Sequence, residues 1–395
     1  MINVPPYDPK MNLWDQCPPW DIRVCPQSRR RPWYNPSVTS DKAKQPGIPI
    51  AVISDGKPGH ENQSLGTAER VPNSNVILLR HKLREGLKEG LLRAQVGLSG
   101  GRIVHPRALL RYAFQESEIN RLVAHSPRAV IAAGTPSASL CILAGRLTGA
   151  KTCVCMRPSM LPLGMFDLAI VPAHDNPPDE PNILRTLAAP NRVSPENLAK
   201  EADRWWDELP AGDRIVSWII GGPSASARFD ETHVLGGLLE TLVWARQHGW
   251  QVWLSTARRT PVSLEEGIAK IARGYPALTW MLLWHRDQRN PLYAMFARSR
   301  LAIVTSDSVS MIAEAASAGK GPLVYQAGAS TDPSAKPSKH DRMLENLIEA
   351  GYGAQASTSN DLLEKMQRLI TGKEEFPVLN DTDKAAERLF ELLRD

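Results

Sequence analysis

The chain has 395 residues, of which 42% are hydrophobic and 23% charged, with a formal net charge of +5. These are the proportions of a soluble globular protein of more than one domain, and no apolar run approaches the length that a membrane span needs. Acids are interspersed among the cations, so the small positive excess favours anionic substrates and excludes the basic stripe of a nucleic-acid groove.

Residues 1–47 are rich in Pro and carry Trp14, Trp20, Trp33 and Tyr34 without helical or strand periodicity, so an irregular extension is expected there. The start lacks a basic region followed by an apolar core, which makes a cytosolic location the expectation. Cys17 and Cys25 could pair with each other or bind a metal but have no second ligand pair near them, and Cys141, Cys153 and Cys155 lie in apolar runs, so no metal site is expected.

Pro49–Ser54 reads as a short buried strand that ends in a glycine-bearing loop and then a helical pattern through Arg70. The loop carries Asp55, Lys57, His60 and Glu61 but has neither the GxxxxGK[ST] nor the GxGxxG spacing of a phosphate or dinucleotide loop. His60 and Asp55 are both candidate general bases, and either fits equally well a hydrogen bond that holds the loop. Asn75–Leu79 is the next strand. Arg80–Val96 follows as a basic amphipathic segment, with Leu79, Leu83, Leu87 and Leu91 at every fourth position. It fits an ordinary half-buried helix, and it also fits a surface for anionic lipid, where a lipid-linked acceptor and a peripheral location on the inner membrane face would be found. A helix is expected over Pro106–Leu122. Strands at Arg128–Ala133, Lys151–Met156 and Phe166–Val171 end in small or polar loops, which brings Arg157, His174 and Asp175 to the sheet edge that holds His60. A strand near Ile183–Leu187 and a helix capped at Ser194 close a first half, 48–210.

The alternation restarts in 211–395. Arg214–Ile220 enters Gly221-Gly222-Pro223-Ser224, and its PSAS sequence repeats the one at Pro136–Ser139, a hint of two similarly built halves. Trp250–Ser255 leads to Arg258, Arg259 and Thr260 before a helix. Two guanidinium groups beside a helix N-terminus suit a diphosphate. Leu301–Val304 ends in Thr305-Ser306-Asp307-Ser308, which caps a helix carrying Glu314, and Pro322–Tyr325 is the following strand. That loop lies where ligands of open α/β sheets bind, and Glu314 is placed to accept ribose hydroxyls or simply to face solvent. Three helices close the chain.

The motifs DGKPGHENQ, FDLAIVPAHD, IIGGPSASARFD, STARRTP and VTSDSVSMIAEAASAGK, in this order over residues 48 to 350, resemble the "elongated mitochondria" family. That family is named for a plant mitochondrial-fission factor and includes bacterial proteins treated as glycosyltransferases. The resemblance implies an α/β fold of two Rossmann-like domains facing across a cleft, the glycosyltransferase-B architecture. It places Gly221, Gly222, Ser224, Arg258, Arg259, Thr260, Ser306, Asp307, Ser308 and Glu314 on the side of a nucleotide-sugar donor. Asp55, His60, Arg157, His174 and Asp175 fall on the acceptor side, with Lys57 beside them. The activity expected is transfer of a sugar from a nucleotide-sugar co-substrate to a hydroxyl of a cell-envelope or lipid-linked acceptor, without a cofactor; no metal is required, because Arg258, Arg259 and the helix N-termini supply positive charge, and no Asp-x-Asp pair stands in a suitable loop. A non-catalytic membrane adaptor and a nucleotide-sugar epimerase are the alternatives. The chain departs from the expected pattern at Lys320-Gly321-Pro322, where a Gly separates Lys from Pro, and in a Gly222–Arg228 loop poor in bulky polar groups. Either departure is compatible with an altered donor preference or with lost activity.

Overall fold

The computed structural model describes residues 47–83, 86–100, 102–224, 229–328, 338–372 and 375–394. The extension with Cys17 and Cys25, the second half of the second PSAS with residues 227 and 228, and the stretch 329–337 lie outside the described residues. In the first half the elements run β1 (Ile48–Ser54), α1 (Pro58–Arg70), β2 (Ser74–Arg80), α2 (Leu87–Leu98), α3 (Pro106–Leu110), α4 (Glu116–His125), β3 (Ala129–Ala133), α5 (Thr135–Thr148), β4 (Lys151–Cys155), β5 (Leu168–Pro172), β6 (Ile183–Thr186) and α6 (Pro195–Arg204). The second half adds β7 (Ile215–Ile220), α7 (Glu231–His248), β8 (Gln251–Thr256), α8 (Val262–Ala272), β9 (Leu278–Leu282), α9 (Leu292–Arg298), β10 (Leu301–Thr305), α10 (Val309–Ser317), β11 (Leu323–Tyr325), α11 (Lys339–Glu349), β12 (Ala354–Ala356), α12 (Ser359–Ile370) and α13 (Asp381–Arg394).

The strands form two parallel six-stranded sheets, ordered β2-β1-β3-β4-β5-β6 and β12-β11-β10-β7-β8-β9. Their alternating side chains explain why both sheets are layered on both faces. Ala51 and Ile53 join one core cluster while Ile50 and Val52 join another, and Trp218 and Ile219 divide in the same way. Strand order reverses between β1 and β3 in the first sheet and between β7 and β10 in the second. A crevice opens at each reversal, at the carboxyl ends of the strands. These are two Rossmann-like domains of the glycosyltransferase-B type.

Several local expectations give way to packing. The run Arg80–Val96 is not one helix: Arg80 ends β2, paired in register with Ser54, and helix begins only at Leu87. Pro106–Leu122 breaks after Leu110, and α4 restarts behind a capping box in which Gln115 and Glu118 satisfy each other's backbone N–H groups. Pro136–Ser139 lies inside the first turns of α5. Pro223 and Ser224 precede α7 by several residues, so the repeated PSAS does not mark equivalent positions. The end of the chain departs from the second half: Ala385, Ala386, Leu389 and Leu393 of α13 complete the core cluster of the first sheet around Ile50 and Val52. Asp381, at the start of α13, accepts the N–H groups of Leu187 and Ala188 at 2.8 and 2.9 Å, fixing the connection between the halves. All the described residues belong to one compact unit, Lys44–Asp395.

Candidate functional site

At the first reversal, the end of β1 turns sharply at Gly56 and starts α1 at Pro58, so that Asp55 and His60 meet. Asp55 Oδ2 lies 2.9 Å from His60 Nδ1, and the carboxylate is almost wholly buried. The imidazole rests on Gly134, at the end of β3. A Cβ there would stand 2.4 Å from His60 Cε1, and φ is +79°, so Gly134 is required both by contact and by backbone. With Nδ1 turned to the carboxylate, Nε2 is the ring atom left to receive a proton. Glu61 is otherwise committed: Arg80 grips it through two bonds of 2.7 and 2.9 Å and Ser54 Oγ donates to it, holding its carboxyl below the usual range. Lys57 is exposed, its Nζ 3.8 Å from Asp55.

Beside this pair a cavity of about 300 Å³ is lined by both halves. Gly59, Gln63, Arg157, His174 and Asp175 form one wall, and Val309, Ser310, Glu314, Lys339 and His340 form the other. Met156, next to Arg157, sits at φ 71°, an uncommon conformation that ends β4 at this wall. Asp175 is buried and pairs with Lys339 Nζ at 2.5 Å, which ties the loop after β5 to the first turn of α11. Burial, with the neighbouring cations Lys339 and Arg342, holds His174 below its ordinary pKa, so it is neutral near pH 7 despite Asp175. Its buried Nδ1 has no protein partner. Glu314 is buried on α10 and its pKa is pushed up to about 7 by desolvation, only partly opposed by the Tyr293 hydroxyl that donates to it at 3.3 Å. The first turn of α10 has no side-chain cap at Ser308. Val309 and Ser310 therefore bring an uncapped helix N-terminus to the cavity wall, a place suited to an anion.

The other donor-side residues form a tight knot at the second reversal. Asp307 is buried and accepts the Gly222 N–H at 2.7 Å, while the Gly221 N–H goes to Thr305 Oγ1 at 2.8 Å. Added Cβ atoms would stand 2.0 Å from Asp307 at Gly221 and 2.1 Å from the Arg259 carbonyl at Gly222. The glycine pair therefore permits chain to pack on chain. Arg259 donates to the Gly222 carbonyl at 3.0 Å and lies 3.4 Å from Asp307. Thr260 Oγ1 donates to the Gly221 carbonyl and accepts the Ala257 N–H. Ser306 accepts the Ala327 N–H, and Ser224 is half-buried. Arg258 is exposed. Burial raises the Asp307 carboxyl against the opposing pull of Gly222 and Arg259, and its Oδ1 has no protein partner. His340 connects knot and cavity: its pKa is lowered by burial and then by Arg259.

Residues 58–393 match the family described as Mitochondrial fission ELM1. The chain belongs to that family. It is 25% identical over 287 residues to the mitochondrial fission protein ELM1 of Arabidopsis thaliana, a stretch covering 67% of this chain but only 63% of the plant protein. An uncharacterized protein of Rickettsia prowazekii is 23% identical over 372 residues, 86% of this chain and 96% of that one. Among solved structures, UDP-GlcNAc 2-epimerase from Methanocaldococcus jannaschii superposes with a TM-score of 0.57 over 87% of this chain and 98% of its own, at 11% identity. That likeness is one of fold.

In this ELM1-family chain, Glu314, Arg157, His174 and Asp175 converge in one cavity, and Asp55 and His60 join beside it. Gly221, Gly222, Arg259, Thr260 and Asp307 instead cluster next to it, bonded mainly to one another. Lys320-Gly321-Pro322 lies at the opposite end of β11, where a Cβ on Gly321 would strike Phe376, so this departure does not reach the cavity. Lys339, His340 and Tyr293 were not singled out in the sequence. Lys339 and His340 open a helix behind a polar stretch, and their only signal was a Ser338 cap with Asp341 three residues on. Among the described residues no cluster of three or more His, Cys, Asp or Glu is arranged to hold a metal, and no helix is long and apolar enough to cross a membrane.

Proposed function

We propose that this protein binds a nucleotide-sugar between its halves and transfers the sugar to a hydroxyl of a lipid-linked or cell-envelope acceptor. The observation that carries the reading is the convergence of the uncapped α10 N-terminus, buried Glu314 and the cations of α11 opposite Arg157 and His174 in one cavity next to the Asp55–His60 pair. The ribose hydroxyls of the donor meet Glu314, and its phosphates meet the first turn of α10, with Lys339 and Arg258 supplying positive charge. His60 Nε2 takes the proton of the acceptor hydroxyl as the new glycosidic bond forms and the bond to the diphosphate breaks. Asp55 keeps the ring in the required tautomer and stabilises the imidazolium. The departing nucleoside diphosphate carries away the negative charge, which the helix N-terminus and cations stabilise.

Thermal denaturation with UDP, GDP, CMP and ADP species and their sugar conjugates tests the donor site. A rise in melting temperature for one nucleotide class is expected, and no rise for any of them contradicts the reading. Product analysis without an acceptor separates transfer from epimerisation. A second reading, an adaptor without catalysis, is favoured by the self-satisfied knot around Asp307 and Arg259, which leaves less open backbone for a diphosphate than a glycine-rich loop would. It predicts membrane association without nucleotide stabilisation.

A further inference from the structure

In the first domain, α2 turns one face to the core and sets three of its leucines outward. Glu89, Leu92 and Val96 are buried, and Arg93 closes an ion pair with Glu89 at 3.5 Å. Leu87, Leu91 and Leu98 are 81%, 61% and 90% exposed. At 100° per residue these three fall within about 40° of one another, a single stripe roughly 16 Å long. Val104 and Tyr112, 82% and 69% exposed, flank the neighbouring α3, and both helices pack on α5. Half of the large hydrophobic side chains exposed on the described surface thus fall within residues 87–112.

Among the described residues from 82 to 112, the exposed charged side chains are cations. Lys82, Lys88 and Arg102 are exposed along it, and the Lys82 N–H bonds the Ala113 carbonyl, which sets it beside Tyr112. Arg107 and Arg111 are paired with Glu116. Glu89 is the one acid among the described residues from 82 to 112, and it points inward.

We propose that the outer face of α2 is a docking surface for an anionic lipid bilayer, with Leu87, Leu91 and Leu98 inserted among the acyl chains and Lys82, Lys88 and Arg102 at the headgroups. Apolar side chains flanked by cations fit that interface, whereas a second copy of the chain would set cations against cations. The inference is independent of whether the cavity is catalytic. Its position bears on an acceptor all the same: Lys82 follows the carboxyl end of β2, where Arg80 is in register with Ser54, one residue before Asp55. A lipid-borne hydroxyl would therefore arrive on the edge of the sheet that holds His60.

The test is sedimentation of the full chain with phosphatidylcholine vesicles and with vesicles in which a third of the lipid is phosphatidylglycerol. Wild type should bind the anionic vesicles, weaken with salt, and leave the neutral ones largely unbound. Leu87→Ser/Leu91→Ser/Leu98→Ser and Lys82→Glu/Lys88→Glu should each bind at least about tenfold more weakly, with unchanged melting temperature because the altered side chains are exposed. Absence of wild-type binding, or binding by either variant as tight as that of wild type, overturns the proposal. So does a concentration-dependent dimer abolished by the serine changes, which would make a second copy the occupant. Binding that emerges only when residues 1–46 are removed would likewise assign the stripe to that segment. Nucleotide-induced stabilisation, measured on the same variants, should be unaffected, so failure here and failure of the donor site read out separately.

Discussion

Glu314→Gln separates the cost of burying a carboxyl from the use the protein makes of it. Burial raises the Glu314 pKa to about 7 from the ordinary 4.5, so between these values the folded chain holds a proton that the unfolded chain has released. Stability must then fall as pH rises through that window and level off above pH 7. A shift of that size corresponds to about 3 kcal/mol at pH 8 and under about 1 kcal/mol at pH 5. Gln keeps an oxygen for the Tyr293 hydroxyl and does not titrate, so the variant should gain on wild type by about 3 kcal/mol at pH 8 and by little at pH 5. Asp307 and Asp381, also raised by burial, titrate in both proteins and cancel in the difference. Urea denaturation of both proteins at several pH values between 5 and 8 measures this directly. A difference that stays flat with pH refutes the reasoning that Glu314 is desolvated. The same substitution should weaken nucleotide binding, because a carboxylate accepting ribose hydroxyls is lost.

Asp55→Asn should leave the fold intact and lower the transfer rate by roughly 10²- to 10⁴-fold, since the His60 ring loses the carboxylate charge that stabilises its imidazolium and, because an amide can also donate, the fixed tautomer; assay of sugar transfer alongside circular dichroism distinguishes this from misfolding. Gly134→Ala should cost about 1–3 kcal/mol in denaturant and reduce transfer as well, because the new Cβ meets the His60 ring at 2.4 Å in a left-handed backbone conformation. The two adjacent arginines should separate in behaviour. Arg259→Ala removes bonds to Gly222 and to the buried Asp307 and should lower stability by about 1–3 kcal/mol. Arg258→Ala, at an exposed position, should fall within about 0.5 kcal/mol of wild type yet weaken nucleotide binding, as calorimetric titration would show.

The alternation of short apolar runs with helical patterns was enough to place both sheets, because a strand buried on both faces reads as an uninterrupted hydrophobic run. Ala129–Ala133 and Ile215–Ile220 are plain cases. What periodicity does not carry is where a helix stops when its sequence could continue. Arg80–Val96 has leucines at helical spacing, yet Leu79 is held by strand pairing and Leu83 by the core, so the repeat crosses a strand, a loop and a helix. The helix α13 lies far along the chain from the sheet it covers, and its apolar face does not say which sheet that is. In the site, strand-end positions brought Glu314, Arg157, His174 and Asp175 together because topology fixes edges. The partners of Arg259 and Gly222 were not legible, since a glycine that admits a ligand and one that admits Asp307 look the same in sequence. Lys339 escaped notice because its meaning comes from Asp175, 164 positions away.

The central claim is that the cavity between the halves holds a nucleoside diphosphate against α10 and Glu314. Calorimetric titration of the wild-type protein and of Glu314→Gln at pH 8 with a panel of nucleotide-sugars tests it most directly. Saturable binding of one nucleotide class to wild type, at least about tenfold weaker in the variant, is the predicted result. Equal affinity in the two proteins, or no heat from wild type with any member of the panel, contradicts it.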